Sequence, residues 1–182
     1  DADTDSVTFT VSGSELSITS AGVLTFASAP DYETTTSLTA TVTATDGTNS
    51  TTQSVTVNVT NLNDNSPAFT SSTTFTVYTG DTAVGTVVAS DADGNSITYA
   101  LSGTDASLMA LNSSTGALTL NSAADHSNKS SYSVTATAND GANSTTQNIT
   151  VNAIAVPTAT SVNNYFWNLR PQTTNSYTVQ LA

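Results

Sequence analysis

The chain has 182 residues, with 14 acidic side chains, two basic side chains, one histidine and no cysteine. A net charge of -12 at pH 7 argues against nucleic acid or anionic lipid as a direct partner, because two cations cannot bind a row of phosphates. The lack of cysteine excludes disulfides and zinc–thiolate sites, and no apolar run approaches the roughly 20 residues of a membrane span, so we expect no membrane insertion.

Short strands are the predicted elements throughout the chain. Threonine and serine together make up 64 residues, and this composition suits strands better than helices. Alternation of apolar and polar residues predicts strands, in chain order, at residues 7–11, 39–44, 55–59, 97–101, 133–138 and 149–153. Gly, Asn, Asp and Pro separate these segments at the spacing of a sandwich, so we predict an all-β fold.

The sequence also repeats itself. DADTDSVTF at residues 1–9 returns as DADGNSITY at 91–99, and NSTTQ at 49–53 returns unchanged at 143–147. A period above about ninety residues is typical of tandem small sandwiches rather than a solenoid. We therefore predict a first repeat at 1–65 that lacks its first two strands, a second repeat at 66–157, and an aromatic-containing tail at 158–182 that donates a strand or begins a further domain.

Acidic residues fall mainly in short motifs: DYE at 31–33, TDG at 45–47, NLNDNSPAF at 61–69 and DAD at 91–93. Together they resemble the cadherin repeat, whose linker signature Asp-x-Asn-Asp-Asn-x-Pro-x-Phe is kept here except that Asn61 replaces the first acid. The resemblance covers residues 1 to about 157. It implies two tandem Greek-key β-sandwiches of the cadherin and immunoglobulin-like kind, followed by a strand-forming C-terminal tail.

Paired carboxylates within these motifs point to calcium. Residues two apart in an extended segment face the same way, so Asp91 with Asp93 and Asp31 with Glu33 each present two carboxylates on one side. Calcium accepts roughly six to eight oxygens. The resemblance implies that Ca²⁺ at the junction of the repeats is bound by Asp31, Glu33, Asn61, Leu62, Asn63, Asp64, Asn65, Asp91, Asp93 and Asp140.

Three departures from the family pattern limit the predicted sites. Gly80 occupies the position of a usual bridging glutamate, and Asp81 is the candidate substitute. Asp1, Asp3 and Asp46 form half a site, because no linker precedes them in this sequence. The second repeat has no linker motif after it, so we expect no calcium at its far end.

We predict an extracellular adhesion or structural module and not an enzyme, since no nucleophile or glycosidase carboxylate pair is evident and the single histidine, His126, has no catalytic partner. One alternative is a self-assembling filament subunit completed by strand donation from residues 158–182. Another is a carbohydrate-binding module that uses Trp167. Expected partners are other copies, neighbouring repeats, or a surface glycan or protein.

Two further expectations concern the origin of the protein. Low lysine content favours a prokaryotic or viral surface protein, which would be secreted, displayed on a cell or carried on a virion. The first residue is Asp1 rather than Met, which indicates a processed product or a fragment.

Overall fold

The computed structural model describes residues 5–157, and this part of the chain is all-β, as the alternation predicts. Each of the six predicted strands overlaps an observed one. In chain order the strands are β1 (Thr8–Val11), β2 (Leu16–Ile18), β3 (Leu24–Phe26), β4 (Ser37–Thr45), β5 (Ser50–Asn58), β6 (Ala68–Phe69), β7 (Thr74–Tyr78), β8 (Ala83–Thr86), β9 (Ala89–Ser90), β10 (Thr98–Ser102), β11 (Met109–Leu111), β12 (Ala117–Leu120), β13 (Ser131–Asn139) and β14 (Ser144–Ile154). A single turn of 3₁₀ helix, Ala106–Leu108, precedes β11.

The described residues form two compact units. The first comprises residues 5–70, 88–98 and 138–145, and the second comprises 71–87, 99–137 and 146–157. Residues 88–98 and 138–145 belong to the second repeat in the sequence division, but they lie in the first unit. The predicted repeat boundary at 65/66 stays a prediction, and the tail at 158–182 lies outside the described residues.

Two sheets supply most of the second unit. One has the strand order β10-β13-β14-β7, and the other has the order β11-β12-β8. The pairing of β14 with β7 is parallel, whereas β12 pairs antiparallel with both β11 and β8. Apolar residues at alternate positions of β13 and β14 are buried, and so are Leu118 and Leu120 of β12. These inward faces form the core, which is the arrangement of a β-sandwich.

The first unit contains the three-stranded sheet β1-β4-β5 and the two-stranded pairs β2-β3 and β6-β9. β4 and β5 form a long antiparallel hairpin in which Ser37 lies opposite Asn58 and Thr45 lies opposite Ser50. Gly47 takes a positive φ of 97° in the connecting turn, a conformation that glycine adopts without steric cost. Among residues 5–157, no helix is long and apolar enough to cross a membrane.

Asp105 ties the turn before β11 to the start of β13. Its carboxylate accepts a hydrogen bond from the Ser133 backbone N–H at 2.7 Å and pairs with Lys129 Nζ at 3.0 Å. Bonding to Ser133 and then to Lys129 lowers the pKa of Asp105 below its ordinary value of 3.8. Because the folded state favours the ionised form, its contribution to stability is present above about pH 4 and is lost as the pH falls through the folded-state pKa.

We expect Asp105→Asn to lower the free energy of unfolding at neutral pH and to flatten its decline in acid. Urea unfolding followed from about pH 7 down to about pH 2 measures both effects. Asp5→Asn, at an exposed position, removes the same charge and serves as the control. Identical acid limbs for the wild type and Asp105→Asn would contradict the role given to this carboxylate.

Candidate metal centre

Asp93 is fixed by the backbone and side chains of the segment 61–65. Its Oδ2 accepts hydrogen bonds from the backbone N–H of Asp64 at 3.1 Å and of Asn65 at 2.9 Å, and its Oδ1 accepts one from Asn65 Nδ2 at 2.8 Å. The Asn65 side chain is the main cause of a lowered pKa for Asp93. Asn61 Nδ2 donates to the Asp93 carbonyl at 2.9 Å. Asp93 is therefore held as a carboxylate against the linker motif.

Three carboxylates meet at this point. Glu33, Asp64 and Asp93 each place one oxygen within 4.8 Å of the others. Partial desolvation, followed by the nearby Asp31 and Asp93, raises the pKa of Glu33. In the part of the chain that the structure describes, Lys129 is the sole lysine or arginine, and it pairs with Asp105. Within residues 5–157, therefore, no lysine or arginine side chain is left to balance the charge of the cluster.

Two buried carboxylate oxygens of the same unit have no hydrogen-bond partner. They are Oδ2 of Asp91 and Oδ2 of Asp140. The other oxygen of each carboxylate is satisfied, by the Asn95 N–H for Asp91 and by the N–H groups of Ala142 and Asn143 for Asp140. A buried anionic oxygen without a donor costs free energy unless a cation approaches it. These orphaned oxygens fit a calcium ion, which prefers oxygen ligands.

The Asp140 turn also positions the linker. Burial opposes ionisation of Asp140, but hydrogen bonds led by the Asn143 and Ala142 N–H groups outweigh it and lower the pKa of Asp140. Asn143 Nδ2 donates to Asn63 Oδ1 at 3.2 Å and to the Asn65 carbonyl at 3.1 Å. Asn63 Nδ2 in turn donates to the Asp140 carbonyl at 3.4 Å. The sequence motifs did not single out Asn143 for a role, although its place in the repeated NSTTQ segment was visible.

Leu62 and its neighbours border an open cavity of about 320 Å³ that also contacts Glu33 and Asp64. The Leu62 side chain is 69% exposed, and its carbonyl accepts a hydrogen bond from the Asp64 N–H at 3.0 Å.

The Asp31 carboxylate, unlike that of Glu33 in the same motif, is hydrogen-bonded within its own turn. Its carboxylate accepts bonds from the Glu33 N–H at 3.0 Å and the Thr34 hydroxyl at 2.9 Å, and this second contact is the first cause of its lowered pKa. Asp31 therefore caps its own turn, as an aspartate commonly does. It is outside the group of three mutually close carboxylates.

The remaining predicted ligands are placed elsewhere. Asp81 lies in the second unit, where its carbonyl accepts a bond from the Ala124 N–H at 2.8 Å. Asp46 accepts bonds from the N–H groups of Thr48 and Asn49 and borders another cavity with Val7. Asp1, Asp3 and Trp167 lie outside the described residues. The structure thus brings Glu33, Asp64 and Asp93 close together, and within the same unit hydrogen bonds join Asn61 and Asn65 to Asp93 and Asn63 to Asp140.

Comparisons with known proteins give a consistent class of fold, although no family model matches the sequence. The chain is 36% identical over 126 residues to Protocadherin Fat 4 of Homo sapiens, a match that covers 64% of this chain and 2% of that protein. It is similar to human Protocadherin-24 EC1-2 with a TM-score of 0.69 and 25% identity, covering 86% of this chain and 85% of that one. It is also similar to mouse Cadherin-23 EC22-24 with a TM-score of 0.68 and 24% identity, covering 82% of this chain and 54% of that one.

These findings support tandem cadherin-like repeats with the β-sandwich fold. The curated relative is a human protein, and the comparisons give no support to the prokaryotic or viral origin that the composition predicts.

Proposed function

We propose that this protein is a calcium-binding extracellular module for adhesion or structural spacing, in which Ca²⁺ stiffens the joint between tandem β-sandwiches. The observation that carries the proposal is the pair of buried, unpartnered oxygens on Asp91 and Asp140, in the unit that also holds the three close carboxylates. An exposed group of carboxylates is by itself common on protein surfaces, whereas buried oxygens without a donor are few. Together they describe a region with surplus negative charge and oxygen atoms that lack donors.

Calcium ions would be held by residues from both repeats as the sequence divides them. The acidic ligands would be Asp31, Glu33, Asp64, Asp91, Asp93 and Asp140, whose six charges match three divalent ions. Asn63, Asn65 and the Leu62 carbonyl would supply neutral oxygens. Bound calcium would neutralise the repelling carboxylates, and ligands from two repeats would be tied to the same ions. The joint would then resist bending.

The linker residues already act on this arrangement without an ion. Asn61 and Asn65 bond to Asp93, and Asn63 bonds to Asp140 and Asn143. These contacts hold the acidic residues in place before a cation arrives, which reduces the ordering that binding must cost. Asn61 replaces an acidic residue of the motif. Its side chain donates a hydrogen bond to the Asp93 carbonyl, whereas a carboxylate at this position would add negative charge.

An extracellular location and a non-enzymatic role accompany this proposal, and they are supported by the cadherin-like class of the fold. The partners we propose are neighbouring repeats or further copies of the chain. One of the similar solved structures is described as a protocadherin cis-dimer, which is compatible with association between such repeats.

Calorimetric titration of the full chain with calcium chloride tests the proposal. We expect binding at roughly 10⁻⁴ to 10⁻³ M, the range of extracellular calcium modules, and at least a tenfold weakening in the double variant Glu33→Gln with Asp64→Asn. Both side chains are exposed, so the fold should persist, and circular dichroism checks it. Asp125→Asn is the matched control, because Asp125 bonds to Ser127 in its own turn. Absence of binding by the wild type would overturn the proposal.

A further inference from the structure

Asn143 has a fixed place in the turn that carries Asp140, between β13 and β14. The Asp140 N–H donates to the Asn143 carbonyl at 3.2 Å, and the Asn143 N–H donates to Asp140 Oδ1 at 2.6 Å. Gly141 lies between them with a positive φ of 103°, which allows the chain to turn tightly. Because both polar groups of the Asn143 backbone are hydrogen-bonded, its side chain leaves the turn from a defined position.

The Asn143 side chain bonds to the linker segment 61–65. Its Nδ2 donates to Asn63 Oδ1 at 3.2 Å and to the Asn65 carbonyl at 3.1 Å, and both contacts are partly buried. A side-chain amide nitrogen carries two hydrogens, so these two bonds can use both of them. All of these residues lie in the first unit.

Three asparagine side chains therefore connect Asp140 with Asp93. Asn63 Nδ2 donates to the Asp140 carbonyl at 3.4 Å, so both ends of the Asn63 amide are hydrogen-bonded. Asn65 Nδ2 donates to Asp93 Oδ1 at 2.8 Å. Asn143 bonds to both of these asparagines and supplies the connection between them.

The two oxygens that accept from Asn143 belong to residues that we propose as neutral calcium ligands. A carbonyl oxygen has two lone pairs, so a hydrogen bond from Nδ2 leaves one lone pair for a cation. Because both oxygens share one donor nitrogen, they are held near the same point. Oδ2 of Asp140, in the turn that carries Asn143, is buried without a donor.

We propose that Asn143 is a positioning residue of the calcium centre, whose side chain holds the oxygens of Asn63 and Asn65 in place before an ion binds. The inference rests on the calcium-binding function proposed above and extends it to a residue outside the acidic motifs. The Asn143 nitrogen is a hydrogen-bond donor and cannot itself coordinate a cation, so it acts through the oxygens it bonds. Oxygens that are ordered in advance reduce the entropic cost of binding the ion.

Calorimetric titration of the full chain with calcium chloride, well below the melting temperature, tests the inference. We expect at least one binding step of Asn143→Ala to be roughly tenfold weaker than in the wild type, as when a metal site loses a supporting partner. Circular dichroism checks that the variant is folded, and a merely structural role would leave the affinity of the folded chain unchanged.

Asn49→Ala is the matched control. Asn49 occupies the same place as Asn143 in the repeated NSTTQ segment, 94 residues earlier. Its Nδ2 donates to Asp46 Oδ2 at 3.4 Å within its own turn. This substitution removes the same side chain from the same local sequence, so its calcium binding at the joint should match that of the wild type.

Hydrogen exchange followed by NMR in chelator gives a second readout that needs no calcium. The backbone N–H groups of Asp64 and Asn65 donate to Asp93 Oδ2, so their protection reports whether the linker is held. We expect faster exchange at both groups in Asn143→Ala. Asn143→Asp should have the same effect, because it keeps the size of the side chain and removes the donor. Exchange that is unchanged in either variant would overturn the inference.

The calcium titrations distinguish failure of this inference from failure of the proposed function. If the wild type binds calcium and Asn143→Ala binds it equally well, the positioning role alone is overturned. Tighter binding by Asn143→Ala overturns it too, since the amide would then compete with the cation for the same oxygens. A wild type that binds no calcium overturns the proposed function and this inference together.

Discussion

Replacing Leu118 by alanine is expected to lower the free energy of unfolding by about 2 to 5 kcal/mol, the range for a leucine truncated in a packed core. Leu118 is 1% exposed in β12 and is bordered by β8 as well as β11. Leu24 is its equivalent in β3, in the same Gly-x-Leu-Thr context, but it is half-buried. Leu24→Ala should therefore cost about half as much or less, because a partly hydrated side chain loses less transfer free energy.

Comparing the two losses of stability separates the effect of burial from the effect of side-chain type, since both substitutions remove the same atoms from equivalent strands. Urea unfolding of the wild type and the two variants gives both losses. Thr25→Ala, at an exposed position beside Leu24, controls for changes in strand propensity and in the exposed hydrogen bond of Thr25 to Ser17. Equal losses for Leu24→Ala and Leu118→Ala would contradict the difference in burial between the two equivalent positions.

Removing calcium is expected to loosen the joint between the two repeats before it unfolds the core of either repeat. Saturation at 10 to 100 times the dissociation constant stabilises the bound state by about 1.4 to 2.7 kcal/mol for each independent site. The buried apolar residues of β12, β13 and β14 lie in strand cores that contain no predicted ligand. Chelation should consequently change the small-angle scattering profile while the circular dichroism of the strands is retained.

Variants of the predicted calcium ligands distinguish the effect of losing bound calcium from the effect of losing folded structure. The double variant Glu33→Gln with Asp64→Asn should give, in calcium, a scattering profile close to that of the chelated wild type. It should also resist melting better than the wild type in chelator, because fewer unpaired carboxylates repel each other. Asp125→Asn should behave like the wild type in both conditions. A wild-type profile that chelator leaves unchanged would argue strongly against a calcium-stiffened joint.

Local patterns were sufficient for the strands and for the class of fold. Each predicted strand depended on a period of two, which a strand imposes on neighbouring residues, so residues 39–44 and 133–138 were recognisable without any long-range information. The spacing of the repeated segments gave the tandem arrangement for the same reason. Strand ends were less well determined, since β5 begins at Ser50, several residues before its apolar alternation begins at Val55.

The candidate centre was predicted in part. Short motifs identified Glu33, Asp64 and Asp93, which the structure brings together from three separate stretches of the chain. Asn143 was not identified, because its hydrogen bonds to Asn63 and Asn65 cross about 80 residues and no motif encodes such a contact. Asp31 and Glu33 share one motif, yet only Glu33 belongs to the group of three close carboxylates, since a side chain can satisfy its own turn instead.

The sequence by itself determined which residues alternate, which motifs repeat and where negative charge gathers, because these properties belong to neighbours along the chain. Only the tertiary structure decided that Asp91 Oδ2 and Asp140 Oδ2 are buried without donors, and that Leu118 is fully buried while Leu24 is half-buried. Equivalent sequences with equal local preferences differ here because burial and hydrogen bonding depend on which distant strand lies alongside. The segment that carries β7 and β8 makes that difference in the second repeat.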